Sequence, residues 1–536
     1  MTHRIVPLLM LAGLSCLSLP AQTPEQLLEE VRQRMARIAA KQSAPRIAEL
    51  EALIGELETL HGAPAAVREK ACGWMFSLLK KGSMHDRHVR MRLAVLRTLA
   101  TLAEDPAWVD RLVALSLRGG AGNLSGVHFW VERALGTLRG GGHVDRLAAH
   151  VRGEDGQARR LALGALARIE DAALRPRLHP MIGVLAEIAD GDDTEARVRA
   201  LAVLGALEPP AVLPTLLAAA RDPDPLIRLA AVRALAKKVV LPGVAAYLSR
   251  LLTDDVALVR EEAVIALAGG TDRSAVPILV RRLEKEPLRI RIALNDTLRK
   301  LTGFDHGPES APWASWLKSV QAADKLEEVR PKPDAYSKPK PKPAEYFDIP
   351  VLSDRMLFVL DVSGSMDYSV GATSKTPTRM AHAKRELIGV VQALDERSRF
   401  NIVFFDQKIR VWTSGLAPAT ERNKQLAIRS VQELVPRGGT DSYGALELAF
   451  KGFRGIDTVY FLSDGVPSVG KSISQEKILQ RVWDWNRLRG IRIHTIALQV
   501  GEQLNPFRRQ REDKDEAARF MRILAQETGG TFTDRR

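Results

Sequence analysis

The sequence of 536 residues is too long for one compact core, because domains usually contain ~100–200 residues. Hydrophobic residues make up 46% and charged residues 26% of the chain, which is an ordinary globular composition and excludes a wholly disordered or fibrous protein. The formal net charge of +14 leaves an anionic partner or surface open. The two cysteines are too few for a disulfide framework.

The first 21 residues have the order of a secretory signal peptide. A basic segment at residues 1–4 is followed by an apolar run at 5–19 and by a small residue, Ala21, of the kind found at cleavage sites. The run is shorter than the ~20 residues of a membrane-spanning helix, and no later segment is long and apolar enough to span a bilayer. We therefore expect a secreted or periplasmic protein cleaved near Ala21. A lipoprotein anchored through Cys16 is the disfavoured alternative, because the three residues before it fit a lipobox poorly.

Residues from about 60 to 300 contain an internal repeat. An arginine is followed three and six residues later by alanine and seven residues later by leucine, most clearly in 228–235 and 260–267. Further copies begin at Arg197 and Arg291, at steps of about 31 residues. These spacings place the small residues on one face of a helix. A second apolar helix separates the copies, and each helix pair has too small a core to fold alone, so the pairs must stack.

This pattern resembles HEAT and HEAT-like repeats. The resemblance implies an all-α solenoid, which we expect over residues 22–320, with Trp313 and Trp316 packed as a cap on the last repeat. A solenoid offers a concave face on which a second protein would dock, while the repeat itself supplies no catalytic group. A role as a scaffold or spacer is the alternative.

Residues 321–350 are expected to form a linker. Lysine and proline alternate between Arg330 and Lys342, a composition that prevents a helix and favours extended polyproline II geometry. The sequence therefore predicts a semi-rigid spacer and a domain boundary.

After the linker, residues 351–536 alternate between strands and helices. Apolar strands are expected at 356–361, 401–406, 458–463 and 491–498, with helices near 379–394, 420–435, 442–452, 474–488 and 512–528. Residues 401–406 and 408–413 are expected to form a hairpin, and 531–533 an edge strand. The alternation predicts a doubly wound, mostly parallel sheet. Ligands of such sheets bind beyond the carboxyl ends of the strands.

Oxygen-bearing side chains stand at three positions of this predicted sheet edge. Asp361-x-Ser363-x-Ser365 follows the first strand, a Gly-Gly-Thr440 sequence opens a helix, and a Ser-Asp464-Gly sequence follows the 458–463 strand. Hydroxyl and carboxylate oxygens, without thiols and without an obligatory histidine, suit a hard cation in six-fold geometry.

Together these motifs resemble the von Willebrand factor A (VWA) domain with its metal-ion-dependent adhesion site. The resemblance covers about residues 353–536 and implies a doubly wound, Rossmann-like α/β domain that binds Mg²⁺ or Mn²⁺. It implies direct coordination by Ser363 and Ser365, direct or water-mediated coordination by Thr440, and largely water-mediated coordination by Asp361 and Asp464. In the family, one coordination position is left for an acidic side chain of a protein ligand. A longer polar stretch at 367–378 departs from the family pattern and leaves the shape of the rim open.

Residues 465–472 also match the string of a P-loop, which binds nucleotide phosphates with its backbone amides and a lysine. Here Gly465 already belongs to the Ser-Asp-Gly turn, and Pro467 lacks an amide that the phosphate cradle needs. Nucleotide binding at 465–472 is therefore the third hypothesis.

The preferred hypothesis is an exported, non-enzymatic adhesion-type protein, in which the VWA domain captures an acidic ligand residue through the metal and the solenoid docks a second partner. No Gly-x-Ser-x-Gly or His-Glu-x-x-His string is present, so we predict that the protein is not an enzyme. Basic residues are scattered without the interleaved aromatics of a single-strand binder, so no nucleic-acid partner is expected. The alternative is a structural scaffold of the cell envelope with incidental metal.

Overall fold

A computed structural model describes residues 22–40, 47–80, 89–117, 127–138, 140–169, 171–208, 210–322, 343–368, 377–498 and 510–535. Up to residue 322, the described residues form helices and the turns between them. The predicted signal peptide with Cys16, and residues 323–342 of the predicted linker, lie outside the described residues. Within the described ranges, no helix is both long and apolar enough to cross a membrane.

The helical half, residues 22–322, contains 17 α-helices among its described residues. They are α1 (Pro24–Ala40), α2 (Ile47–Glu56), α3 (Ala65–Lys80), α4 (Val89–Leu102), α5 (Ala107–Leu117), α6 (Val127–Gly136), α7 (Gly141–Arg152), α8 (Gly156–Ala167), α9 (Ile182–Ala189), α10 (Thr194–Ala206), α11 (Leu213–Ala219), α12 (Pro225–Ala236), α13 (Val244–Leu251), α14 (Ala257–Leu267), α15 (Val276–Arg282), α16 (Leu288–Thr302) and α17 (Ser310–Ala322). Short 3₁₀ helices occupy 57–62, 172–181, 210–212 and 273–275.

The predicted repeat arginines lie on α10, α12, α14 and α16, which we call the arginine-bearing helices. Each contacts the next, and α11, α13 and α15 lie between them in sequence. The small residues of the motif face this stack, and Ala231 and Ala263 are fully buried. A Cβ added at Gly205 of α10 would lie 2.7 Å from the Cβ of Ala234 on α12, so these two helices approach closely only because both residues are small. The all-α solenoid is confirmed.

The repeat arginines also join each repeat to the following one. Ion pairs link Arg197 to Asp222 at 2.5 Å, Arg228 to Asp254 at 2.7 Å and Arg260 to Glu286 at 2.8 Å. Each acceptor stands in the turn before the next arginine-bearing helix. The Arg228 guanidinium also donates to the backbone carbonyl of Asp222 at 3.0 Å, so one turn is bound by two successive arginines. The arginine of the sequence motif therefore has a structural role.

The C-terminal α/β half consists of residues 345–535. Its strands are β1 (Glu345–Tyr346), β2 (Ile349–Pro350), β3 (Arg355–Asp361), β4 (Arg399–Phe405), β5 (Ile409–Val411), β6 (Ala417–Pro418), β7 (Thr458–Ser463), β8 (Arg492–Leu498) and β9 (Phe532–Arg535). Its helices are α18 (Arg379–Ala393), α19 (Glu421–Gln432), α20 (Ser442–Gly452), α21 (Gln475–Asn486) and α22 (Gln510–Glu527), with a 3₁₀ turn at 364–367.

The main sheet has the order β5-β4-β3-β7-β8-β9, with β6 paired to β4. Strands β3, β4, β7, β8 and β9 are parallel, whereas β5 and β6 run antiparallel to β4. The predicted hairpin of β4 and β5 and the predicted edge strand β9 are both present. The doubly wound α/β fold is confirmed, and its central parallel strands β3, β4 and β7 are almost wholly buried, because helices cover both faces.

The end of the predicted linker is part of the α/β half instead. Strands β1 and β2 pair antiparallel, and the Phe347–Asp348 turn between them has positive φ angles of 52° and 61°. Tyr346 is 1% exposed and stands edge-on to Phe358 and Tyr460, with ring centroids 5.3 and 5.8 Å apart. The assignment of 345–350 to a spacer is corrected, because burying these aromatic rings outweighs the extended preference of the lysine–proline run before them.

The arginine ladder gives a stability prediction. We expect Arg228→Ala to lower the free energy of unfolding by about 2–3 kcal/mol, because it leaves the Asp254 carboxylate, whose side chain is 4% exposed, without its charged partner. Arg233→Ala on the same helix is the matched control. Its side chain is 55% exposed and pairs with Glu262, so the loss should stay below about 1 kcal/mol. Urea unfolding followed by circular dichroism measures both. Equal losses for the two variants would contradict a structural role of the ladder.

Candidate functional site

The carboxyl ends of β3 and β7 meet because these two strands are parallel neighbours. Leu360 pairs in register with Leu462, so Asp361, the last residue of β3, and Ser463, the last residue of β7, stand side by side. The sequence after each strand then turns over the same edge of the sheet. This pairing brings together two motifs that are about a hundred residues apart in the chain.

Hydrogen bonds connect the polar groups of the two motifs. The Ser365 hydroxyl donates to Asp464 Oδ1 at 2.7 Å, and the hydroxyl oxygens of Ser363 and Ser365 are 3.1 Å apart. Asp361 accepts from the Ser363 amide at 2.8 Å and from the Ser463 hydroxyl at 2.5 Å. Four of the five predicted site residues therefore belong to one connected network.

The loop of Thr440 joins this network through its backbone. The Gly364 amide donates to the Gly438 carbonyl at 3.0 Å, which holds the Gly-Gly-Thr loop beside the serine loop. The Thr440 amide donates to the Ser468 hydroxyl at 2.9 Å, and Thr440 is 4% exposed. Residues from three separate loops thus line one edge of the sheet.

The two carboxylates at this edge are deeply buried. Asp361 is 0% and Asp464 3% exposed. Burial raises the pKa of the Asp361 carboxyl above its ordinary value, and the nearby Asp464 carboxylate raises it further. Two buried, mutually repelling carboxylates are stabilised by a cation, so the electrostatics of the edge favour a positive ligand.

Arg379 is a further charged residue at this edge that sequence reasoning missed. It is the first residue of α18, it is 5% exposed, and its guanidinium donates to Asp464 Oδ2 at 2.6 Å. Its guanidinium carbon also lies 5.6 Å from the ring centroid of Tyr368, which is 43% exposed at the rim. The signal in the sequence was an arginine opening the helix that follows the serine loop. Of the longer polar stretch at 367–378, residues 369–376 lie outside the described residues.

Among the described residues, no group of three or more His, Cys, Asp or Glu side chains is placed to hold a metal ion. The predicted set contains only two carboxylates, Asp361 and Asp464, and takes its remaining oxygens from hydroxyls. Such a set matches the oxygen preference of Mg²⁺, so the residues present fit the implied cation.

The segment 465–472 does not have the geometry of a phosphate cradle. The amides of Ser468 and Val469 donate to the Thr440 carbonyl at 3.0 and 3.4 Å. Lys471 forms an ion pair with Glu447 at 2.6 Å. The next helix begins only at Gln475, after the cap residue Ser474. The backbone amides and the lysine that a P-loop would direct at phosphates therefore have other partners within the protein.

Comparisons with known proteins match a part of each half to a family. The HEAT repeats family matches residues 182–268, and the von Willebrand factor type A domain family matches residues 356–466. Inter alpha-trypsin inhibitor heavy chain 4 of Mus musculus is 24% identical over 136 residues, which are 23% of this chain and 14% of that protein. Inter-alpha-trypsin inhibitor heavy chain H3 of Bos taurus is 28% identical over 145 residues, which are 25% of this chain and 15% of that protein.

Among solved structures, a von Willebrand factor type A protein from Catenulispora acidiphila is 20% identical, with a TM-score of 0.26, and the match covers 34% of this chain and 38% of that chain. The matches to the two inter-alpha-trypsin inhibitor heavy chains span only about a seventh of those relatives' own length. The chain contains HEAT repeats in its helical half and a von Willebrand factor A domain in its α/β half.

Proposed function

We propose that this protein is an exported, non-enzymatic binding protein whose A domain (residues 345–535) captures an acidic residue of another protein through a divalent cation. Mg²⁺ or Mn²⁺ would be held directly by Ser363 and Ser365. Thr440 would bind it directly or through water, and Asp361 and Asp464 largely through water. The match to the von Willebrand factor type A family supports the coarser role in protein interaction.

The observation that carries this proposal is the spacing of the two proposed direct ligands. The hydroxyl oxygens of Ser363 and Ser365 lie 3.1 Å apart. Neighbouring ligands of a six-coordinate Mg²⁺ ion with bonds of about 2.1 Å are separated by about 3 Å. The two hydroxyls are therefore spaced as a cation of this size requires, and the Ser365 hydroxyl is oriented by its hydrogen bond to Asp464 Oδ1 at 2.7 Å.

The charge balance favours an anionic ligand. Two carboxylates, Asp361 and Asp464, and the Arg379 guanidinium are buried at this edge, and the guanidinium donates to Asp464. With a divalent cation added, the formal charge of the edge becomes positive. A carboxylate from a partner protein would then neutralise it, which supports capture of an aspartate or glutamate side chain.

A scaffold of the cell envelope with incidental metal remains the alternative function. The two hypotheses differ in what the cation does, because only the adhesion hypothesis requires the metal for capture. A partner on the helical half, and export to the periplasm or the medium, are parts of the proposal that the sequence alone supports.

The first prediction of this proposal concerns cation binding. We expect isothermal titration of the purified protein with MgCl₂ to show one binding site. Asp361→Asn should weaken the affinity of this site for Mg²⁺ about 10–100-fold, because it removes a charged group that orients the coordination sphere. Asp367→Asn, which removes an exposed carboxylate in the adjacent turn, is the matched control and should bind Mg²⁺ as the wild type does. A wild type that binds no Mg²⁺ or Mn²⁺ would contradict the proposal.

The second prediction concerns capture. Protein ligands recovered from envelope extract in Mg²⁺ should be lost in EDTA and with Asp361→Asn, while Asp367→Asn retains them, because the partner carboxylate binds the cation itself. Recovery that is unchanged by both treatments would support the scaffold hypothesis instead.

The third prediction concerns Arg379. We expect Arg379→Met to bind Mg²⁺ about three- to ten-fold more tightly, because it removes a positive charge that shares Asp464 with the cation. Capture of the acidic ligand should weaken in the same variant, since the loaded edge is less positive. Arg385→Met on the same helix, with a side chain 65% exposed, is the control. Weaker Mg²⁺ binding by Arg379→Met would show that the arginine is needed mainly to orient Asp464.

The fourth prediction concerns nucleotides. Because the Ser468 and Val469 amides and Lys471 already have partners, millimolar ATP should leave the melting temperature of the protein unchanged. A stabilisation by ATP that disappears in Lys471→Ala would revive the third hypothesis and displace the adhesion proposal.

A further inference from the structure

The arginine-bearing helices contact the A domain at the amino end of its sheet. The contacting residues precede or begin the strands: Asp354 precedes β3, Asp457 precedes β7, and Arg492 begins β8. Arg397, which precedes β4, lies 3.6 Å from Glu309 before α17. The carboxyl ends of the same parallel strands carry the candidate metal site. The helical half therefore meets the A domain at the edge opposite to that site.

A buried cluster of charges lies at the centre of this contact. Glu261 of α14 is 2% exposed and accepts from Arg289 of α16 and, at 2.8 Å, from Arg492 of the A domain. Arg289 is 7% exposed and donates to the backbone carbonyls of Asp457 and Gly490, both at 2.7 Å. Polar groups of one half thus pair with buried charges of the other half. If the two halves separated, these buried charges would lose part of their pairing.

The A domain also caps a helix of the repeats. Helix α16 begins after Pro287, whose side chain offers no hydrogen bond to the first turn. The carboxylate of Asp354 in the A domain accepts from the amide of Leu288 at 3.2 Å. An acidic group at this helix start satisfies a free amide and interacts favourably with the helix dipole.

The close approach of the two halves at Leu258 depends on a glycine. Gly490 has a φ of +57°, and a Cβ at this position would lie 2.5 Å from Cδ1 of Leu258 on α14. Leu258 lines a cavity of 310 Å³ together with Leu479, Val482 and Leu524 of the A domain. Buried apolar residues of both halves form a single continuous cluster, so the contact has the apolar component that stable interfaces need.

Further ion pairs extend the contact along the helical half. Arg487 after α21 pairs with Glu195 on α10 at 2.6 Å, and Glu527 at the end of α22 pairs with Arg133 on α6 at 2.5 Å. The contact therefore runs across several successive repeats.

We propose that this surface of the helical half is the docking site of the chain's own A domain, so that the two halves form one body. The candidate metal edge is then presented on the far side, toward solvent. A second protein bound by the repeats has to use another surface or displace the A domain. This inference does not depend on whether the site binds a metal.

The test uses the full chain with a protease recognition sequence inserted within residues 331–342. After cleavage, the helical half and the A domain of the wild type should elute together from size exclusion at micromolar concentration, with a light-scattering mass of one copy of each. Fragments that separate would overturn the proposal. A complex of two copies of each would also overturn it, because the A domain would then dock on a second chain.

Two variants test the residues of the contact. Arg492→Glu should weaken the association of the cleaved halves at least about ten-fold, because it places a carboxylate beside Glu261. Its side chain is 38% exposed, so the variant should fold, and circular dichroism checks this. Gly490→Ala should act in the same direction, because its Cβ would contact Leu258, and circular dichroism again checks the fold, since a φ of +57° strains any residue that has a side chain. Glu284→Arg, an exposed charge change on the helical half, is the matched control. Association as tight as wild type in both test variants would contradict the assigned contact.

Discussion

The parallel pairing of β3 with β7 is the constraint on which the functional edge depends. It sets Asp361 beside Ser463, and the loops that follow then have to turn over the same end of the sheet. Each loop supplies groups that the other lacks: hydroxyls come from the β3 loop and a buried carboxylate from the β7 loop. A shift of one residue in this register would turn the side chains to the opposite faces of the sheet and separate the oxygens.

Buried charges are used in the same way in three parts of the molecule. In the repeats, each arginine on one helix binds an acid in the next turn, such as Arg228 with Asp254. Between the halves, Glu261 receives arginines from both sides. At the sheet edge, Asp464 is paired with Arg379. In each case the charge is shielded from water, so removing one partner takes away part of the pairing of a charge in a site of low dielectric constant.

The opposite placement of the two polar ends of the sheet has a functional consequence. The amino end contacts the repeats, while the carboxyl end carries the hydroxyl and carboxylate oxygens. In the docked arrangement that we propose, attachment at the amino end leaves the carboxyl end free to meet a partner protein. The solenoid would then fix the direction in which the candidate site faces.

Much of the fold was predictable, because periodicities and short motifs are local. The arginine–alanine–leucine spacing identified the repeats, and the strands of the parallel sheet were expected within about two residues of their observed ends. The Tyr346–Phe347 hairpin was missed, because a lysine–proline run next to it suggested a spacer. The burial of the Tyr346 ring against Phe358 becomes visible only in the tertiary structure.

The sequence by itself determined which chemical groups the chain carries: small residues for stacked helices, and five oxygen-bearing residues in loops that follow strands or open a helix. Only the tertiary structure decided which of these groups meet. Arg379 joins Asp464, Arg492 joins Glu261, and Asp354 caps α16, although more than sixty residues separate the members of each pair. Such long-range pairs leave no local pattern, because they are set by how buried surfaces fit together and by the need to satisfy each buried charge.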